Sequence, residues 1–130
     1  MAVYTTRLFD RKMIGEDLTE DLLFEVAQEV MDGRFEGDLG GGVIKKRVAL
    51  GAGKRGGART IIFFKVGSHL FFADGWRKNQ SRKSGKEIQD DELAIYKDIA
   101  GDLLKLSTQQ IERLVKANEL REVKCNGSKH

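Results

Sequence analysis

Apolar side chains first recur at helical spacing between residues 17 and 32. Leu22, Val26 and Val30 stand at every fourth position, and Leu23 and Ala27 widen the stripe. Asp17 and Glu20 have capping-box spacing at the start, and Gly33 stands where a left-handed glycine ends a helix. The pattern predicts an amphipathic helix over residues 17 to 32. The period then drops to two. Residues 43 to 50 predict a strand with Ile44, Val48 and Leu50 on one face. Residues 59 to 66 and 69 to 76 predict stronger strands, and Gly67-Ser68 between them predicts a two-residue type II′ turn. Such a turn sets Arg59 opposite Trp76 and Phe63 opposite Phe72. Alternation then puts Arg59, Trp76 and Lys78 on one face and Arg77 on the other, unless Gly75 bends the strand end.

Residues 87 to 106 return to the helical period, with Ile88, Ile95, Ile99 and Leu103 on one side. Ser107 and Gln110 form a second capping box, opening a short helix with Ile111, Leu114 and Val115 inside and Asn118 at its end. Residues 120 to 125 read as a last short strand. Residues 3 to 9 fit either a strand or a first helical turn. The class that follows is α+β: a small antiparallel sheet braced by an N-terminal helix and C-terminal helices. One domain is expected over residues 1 to 125, followed by a polar tail at 126 to 130.

The chain has 130 residues and one cysteine, Cys125. That length buries a core without staples, and a lone cysteine forms no internal disulfide, which fits a reducing compartment. No apolar signal-peptide core opens the chain, and no run approaches the roughly 18 apolar residues that span a bilayer. A cytoplasmic protein with no membrane partner is expected. The net charge is only +3, yet residues 43 to 86 hold twelve cations against one acid, Asp74, a local charge of +11. The remainder carries −8. One strongly positive face is therefore expected, and nucleic acid is the usual polyanion it meets.

Several motifs have plain structural readings. Gly51-Ala52-Gly53-Lys54-Arg55-Gly56 matches a dinucleotide-binding pattern, but it leads into a strand where that fingerprint needs a helix. A basic loop that approaches phosphates fits better. Asp90, Asp91 and Glu92 suit the start of a helix and have no His or Cys at metal-ligand spacing. His69 adjoins a turn and His130 ends the chain, so histidine acid–base chemistry has no candidate. No metal or cofactor is expected. The strand lysines and arginines remain. Crowded cations can lower a lysine into the range of a base, and arginines fork onto phosphate oxygens. Trp76 beside Arg59 offers either a stacking surface for an RNA base or core packing.

Three basic, glycine-rich segments now stand in order: residues 40 to 49, residues 53 to 60, and Gly75-Trp76-Arg77-Lys78-Asn79. With the trailing helix and Glu119-Leu120-Arg121-Glu122-Val123, they resemble a branch of the RelE/ParE toxin superfamily over roughly residues 3 to 125. The resemblance implies a compact α+β fold and a toxin of a type II toxin–antitoxin system. RelE-type members cut messenger RNA in the ribosomal A site, without metal, by attack of the 2′-hydroxyl, and a cognate antitoxin neutralises them. Messenger RNA, the ribosome and an antitoxin are the implied partners. By position, Lys46 and Lys54 match the family's catalytic or phosphate-binding lysines, and Arg59 matches the arginine opening the central strand. Arg77 or Lys78 matches the basic residue ending the next strand, and alternation favours Lys78. Lys45, Arg47, Arg55, Arg82 and Lys83 are the flanking cations expected to bind RNA, with Trp76 stacking a base. Two positions depart from the pattern. Ala58 stands where an aromatic is usual, and no tyrosine follows the last basic position until Tyr96. The ParE branch shares the fold but inhibits DNA gyrase, so that activity, or nucleic-acid binding without cleavage, is the alternative.

Overall fold

The computed structural model describes residues 2 to 16, 18 to 50, 57 to 77 and 88 to 124. Strand β1 (Val3–Thr6) runs directly into helix α1 (Arg7–Lys12), so the segment open to two readings is both. Thr6 makes the switch: its backbone is extended and its hydroxyl accepts the Phe9 N–H at 3.1 Å. Helix α2 (Glu20–Met31) follows. Its cap is Thr19, which accepts from Leu22 N–H at 3.1 Å, and not the expected Asp17 with Glu20. Asp17 lies outside the described residues. Glu20 is used elsewhere: its carboxylate accepts the Lys124 N–H at 2.6 Å and pairs with Arg121 at 3.2 Å.

The three expected strands are present as β3 (Val43–Val48), β4 (Ala58–Phe63) and β5 (Leu70–Arg77), preceded by the two-residue β2 (Gly37–Asp38). Helices α3 (Asp90–Leu103) and α4 (Thr108–Lys116) and strand β6 (Leu120–Val123) complete the order. The α+β class is borne out. The sheet is larger than expected, with six strands ordered β2-β3-β4-β5-β1-β6. It is also mixed, because β1 pairs parallel to β5 and antiparallel to β6.

Both faces of the sheet are covered. On one, Phe9, Leu23, Val26 and Val30 of the first two helices pack on Ile44, Val48, Ile62 and Phe72. On the other, Tyr96, Ala100 and Ile111 pack on Val43, Ile61, Phe63 and Phe71. This explains why β4 and β5 are apolar on consecutive rather than alternate positions. At the far edge Arg121 binds Asp10 at 3.0 Å and Glu20 at 3.2 Å. The hydrogen bond to Asp10, reinforced by both carboxylates, raises the guanidinium above its ordinary range against the opposing effect of burial.

Three expectations are corrected. The β4–β5 hairpin turns at Val66-Gly67, with Ser68 N–H donating to Lys65 O at 2.8 Å and Gly67 at φ +89°. A positive φ at the third turn residue is the type II pattern, not type II′ at Gly67-Ser68. The register is Arg59 opposite Trp76, as expected, but Phe63 opposite Phe71 rather than Phe72. A bulge places the extra residue, Ala73, between the two zones. In α3 the buried side chains are Tyr96 and Ala100, whereas Ile95 and Ile99 are 59% and 43% exposed. The two stripes have the same spacing, so periodicity alone does not choose between them. Ala100 lets the helix approach the sheet, and Tyr96 finds a hydrogen-bond partner there.

Candidate functional site

Strand β3 delivers three successive cations to alternate faces. Lys46 points toward α2, where its Nζ lies 2.9 Å from Glu29 Oε1. Its side chain is only 9% exposed and that of Glu29 34%. Lys45 is half-buried opposite Ile61, and Arg47 is exposed opposite Arg59. The backbone N–H of Arg47 donates to Glu36 Oε1 at 2.6 Å, which fixes the strand edge. Lys46 also holds its neighbour strand, because Thr60 Oγ1 donates to its carbonyl at 2.9 Å.

Arg59 and Arg47 are direct cross-strand partners, a like-charge juxtaposition that is unfavourable by itself and eased by an anion. Arg59 is only 5% exposed, at the start of β4. Trp76, its partner on β5, is buried in the second core. Lys12 Nζ lies 5.6 Å from the centre of its ring. Of the two readings open for Trp76, base stacking and core packing, its burial favours core packing. Arg77 lies opposite Ala58, on the other face from Trp76 as expected, and its Nη1 is 3.7 Å from Glu16 Oε1. Lys54, Arg55, Lys78, Arg82 and Lys83 lie outside the described residues.

The candidates are thus divided between faces, Lys46 and Arg77 on one and Arg47, Arg59 and Trp76 on the other. Of these, Arg47 and Arg59 come together at the end of the sheet. There a cavity of about 640 Å³ opens between α2 and β3, and Glu25, Glu29, Glu36, Arg47 and Arg59 are among its lining residues. Its floor is apolar, from Leu22, Val26, Val48 and Leu50. This differs from a site made of cations alone. Lys46 Nζ meets the carboxylate of Glu29 there and not a cluster of cations.

The sequence reading also missed a buried network behind β5. The Ala73 bulge turns Asp74 toward α3, where its Oδ2 accepts from Tyr96 Oη at 2.5 Å. Its Oδ1 pairs with Lys12 Nζ at 2.8 Å and accepts the Gly75 N–H at 2.7 Å. The signal was present: Asp74 is the one acid between residues 43 and 86, set in the apolar run of a strand. Among the described residues, no group of three His, Cys, Asp or Glu is placed to hold a metal ion. No described helix is long and apolar enough to cross a membrane.

Compared with known families, residues 1 to 123 match the one described as the RelE toxin of the RelE/RelB toxin–antitoxin system. No curated protein and no solved structure matches the chain.

Proposed function

On the premise that the chain belongs to the RelE toxin family and is the toxin of a toxin–antitoxin system, we propose that it is an endoribonuclease that cleaves messenger RNA at the ribosomal A site. The observation that carries this reading is the cavity at the end of the sheet. It brings two arginines, Arg47 and Arg59, to Glu29, the carboxylate that Lys46 holds from behind, and opens between a helix and a strand, where a single extended chain can enter.

The reaction has three chemical demands. The 2′-hydroxyl must lose its proton, the phosphorane oxygens must be stabilised, and the 5′-oxygen must leave. Arg47 and Arg59 suit the second, because guanidinium stays charged and its fork matches two phosphate oxygens. Lys45 and Arg77 extend the positive surface from neighbouring strand positions. Lys54 and Lys78 keep the roles that the family resemblance gives them, and Arg55, Arg82 and Lys83 are flanking cations for the RNA. The protein acts in the cytoplasm, and a cognate antitoxin silences it.

The test is induced expression in a bacterial host with mapping of RNA 5′ ends. Discrete internal cuts in translated messages, with cyclic phosphate on the upstream fragments, support the reading. Whole messages with early DNA-damage signalling favour gyrase inhibition. Growth arrest with neither favours binding without cleavage.

A further inference from the structure

The group that accepts the 2′-hydroxyl proton is the open part of that reading. Lys46 Nζ is taken up by Glu29 and is not among the groups that line the cavity, so in the arrangement found it is not placed to meet a substrate hydroxyl. Three carboxylates line the cavity beside it. Glu36 is committed to the backbone of Arg47. Glu25, one turn before Glu29 on α2, also lines the cavity but is exposed, and among the described residues no ion pair or hydrogen bond holds it. Glu29 differs from both. One oxygen is held by a lysine that is itself nine-tenths buried, so the carboxylate is fixed at the cavity wall, yet a third of its side chain is open to the cavity. A base must be both accessible and held in place, and a fixed rotamer removes the entropy of orienting it at the moment of reaction.

We propose that Glu29 is the catalytic base of the ribonuclease reaction and Lys46 its positioning residue, an assignment that rests on the ribonuclease reading above. The step balances without a cofactor. Glu29 takes the proton from the 2′-hydroxyl as the 2′-oxygen forms a bond to phosphorus. The bond from phosphorus to the 5′-oxygen breaks, and that oxygen takes a proton from solvent. The products are a 2′,3′-cyclic phosphate and a 5′-hydroxyl, and the protonated Glu29 returns its proton to water. Arg47 and Arg59 hold the phosphate while this happens. The assignment also accounts for a buried lysine behind the site: it orients a carboxylate instead of contacting RNA.

The test uses the full chain with ribosomes programmed with a defined message, under single turnover. Glu29→Gln should slow cleavage by about 10² to 10³-fold. Its affinity for the same complex carrying a 2′-deoxynucleotide at the cut site should stay within about threefold of the parent, and its thermal transition should be kept. Glu29→Asp, which keeps a carboxylate at shorter reach, should recover part of the rate. Lys46→Met should slow the parent by less than Glu29→Gln does and should add nothing to the Glu29→Gln variant, because positioning a missing base has no effect. Cleavage by Glu29→Gln within about threefold of the parent overturns the assignment. So does a loss of rate matched by an equal loss of binding to the 2′-deoxy complex. A parent protein that leaves the message whole overturns the ribonuclease reading, and this inference with it.

Discussion

Tyr96→Phe removes a single oxygen, and the structure says what that oxygen does. It donates to Asp74, a carboxylate only 5% exposed that is otherwise bonded to Gly75 N–H and Lys12. A hydrogen bond to a charged group contributes about 1.5–3 kcal/mol, and the phenyl ring leaves no cavity, so a loss near 2 kcal/mol is expected. In a domain of this size that lowers the melting temperature by roughly 5–10 °C. Asp74→Ala should cost more, about 3 kcal/mol, because it orphans the Tyr96 hydroxyl and the Gly75 N–H together. The figure sits at the low end for a buried pair because the Lys12 side chain is 36% exposed and can rehydrate. The assay is urea unfolding followed by circular dichroism, read as the midpoint at constant slope. Lys12→Met combined with Tyr96→Phe closes a double-mutant cycle, and a coupling of at least about 0.5 kcal/mol is expected since both side chains share one carboxylate. A loss below about 0.5 kcal/mol for Tyr96→Phe, with the slope unchanged, would show that Asp74 does not depend on that hydrogen bond. The network bears on function because Asp74 fixes the end of β5, two positions before the bond that leads from Trp76 into Arg77.

Three further outcomes are expected. Ile95→Ser and Ile99→Ser should change stability by less than about 0.5 kcal/mol each, whereas Ala100→Leu should cost about 1–3 kcal/mol by overpacking against the sheet; thermal melts of the three variants decide it. Gly57→Ala should cost more than about 2 kcal/mol, because Gly57 sits at φ +61° and an added Cβ would lie 2.2 Å from Val48 O; denaturant midpoints measure this. Burial, with Glu122 and Glu112 adding to it, raises the Tyr4 phenol above its ordinary value of 10.0. The folded protein then keeps that proton after the unfolded chain has lost it. Stability is fully present below pH 10 and falls as pH climbs toward the folded value, by up to about 1.4 kcal/mol per pH unit; ultraviolet titration of phenolate alongside unfolding at alkaline pH checks the sign.

Local chemistry was legible in the sequence wherever it was self-sufficient. Ser107 and Gln110 cap α4 reciprocally as their spacing implies, and Asn118, at φ +62°, ends it. The β3–β4–β5 meander follows from short connections between successive strand-forming runs, and Arg59 does face Trp76. The positive segment and the family resemblance were also written in the residue order. Neither the bulge at Ala73 nor the turn at Val66-Gly67 was, because a single slipped residue changes register without changing composition.

What the sequence by itself determined is the kind of element and the sign of the charge: a helix here, a strand there, cations along β3. What only the tertiary structure decided is which partner each side chain meets. Two stripes of α3 satisfy the same period, and contact with the sheet selects Tyr96 and Ala100. The N-terminal strand is too short to specify its neighbours, and it gains its place between β5 and β6 through backbone pairing on both edges. Lys46 reads as one cation among many until α2 brings Glu29 to 2.9 Å. Periodicity and composition are properties of neighbours along the chain, while burial and ion pairing act through space between segments far apart in it.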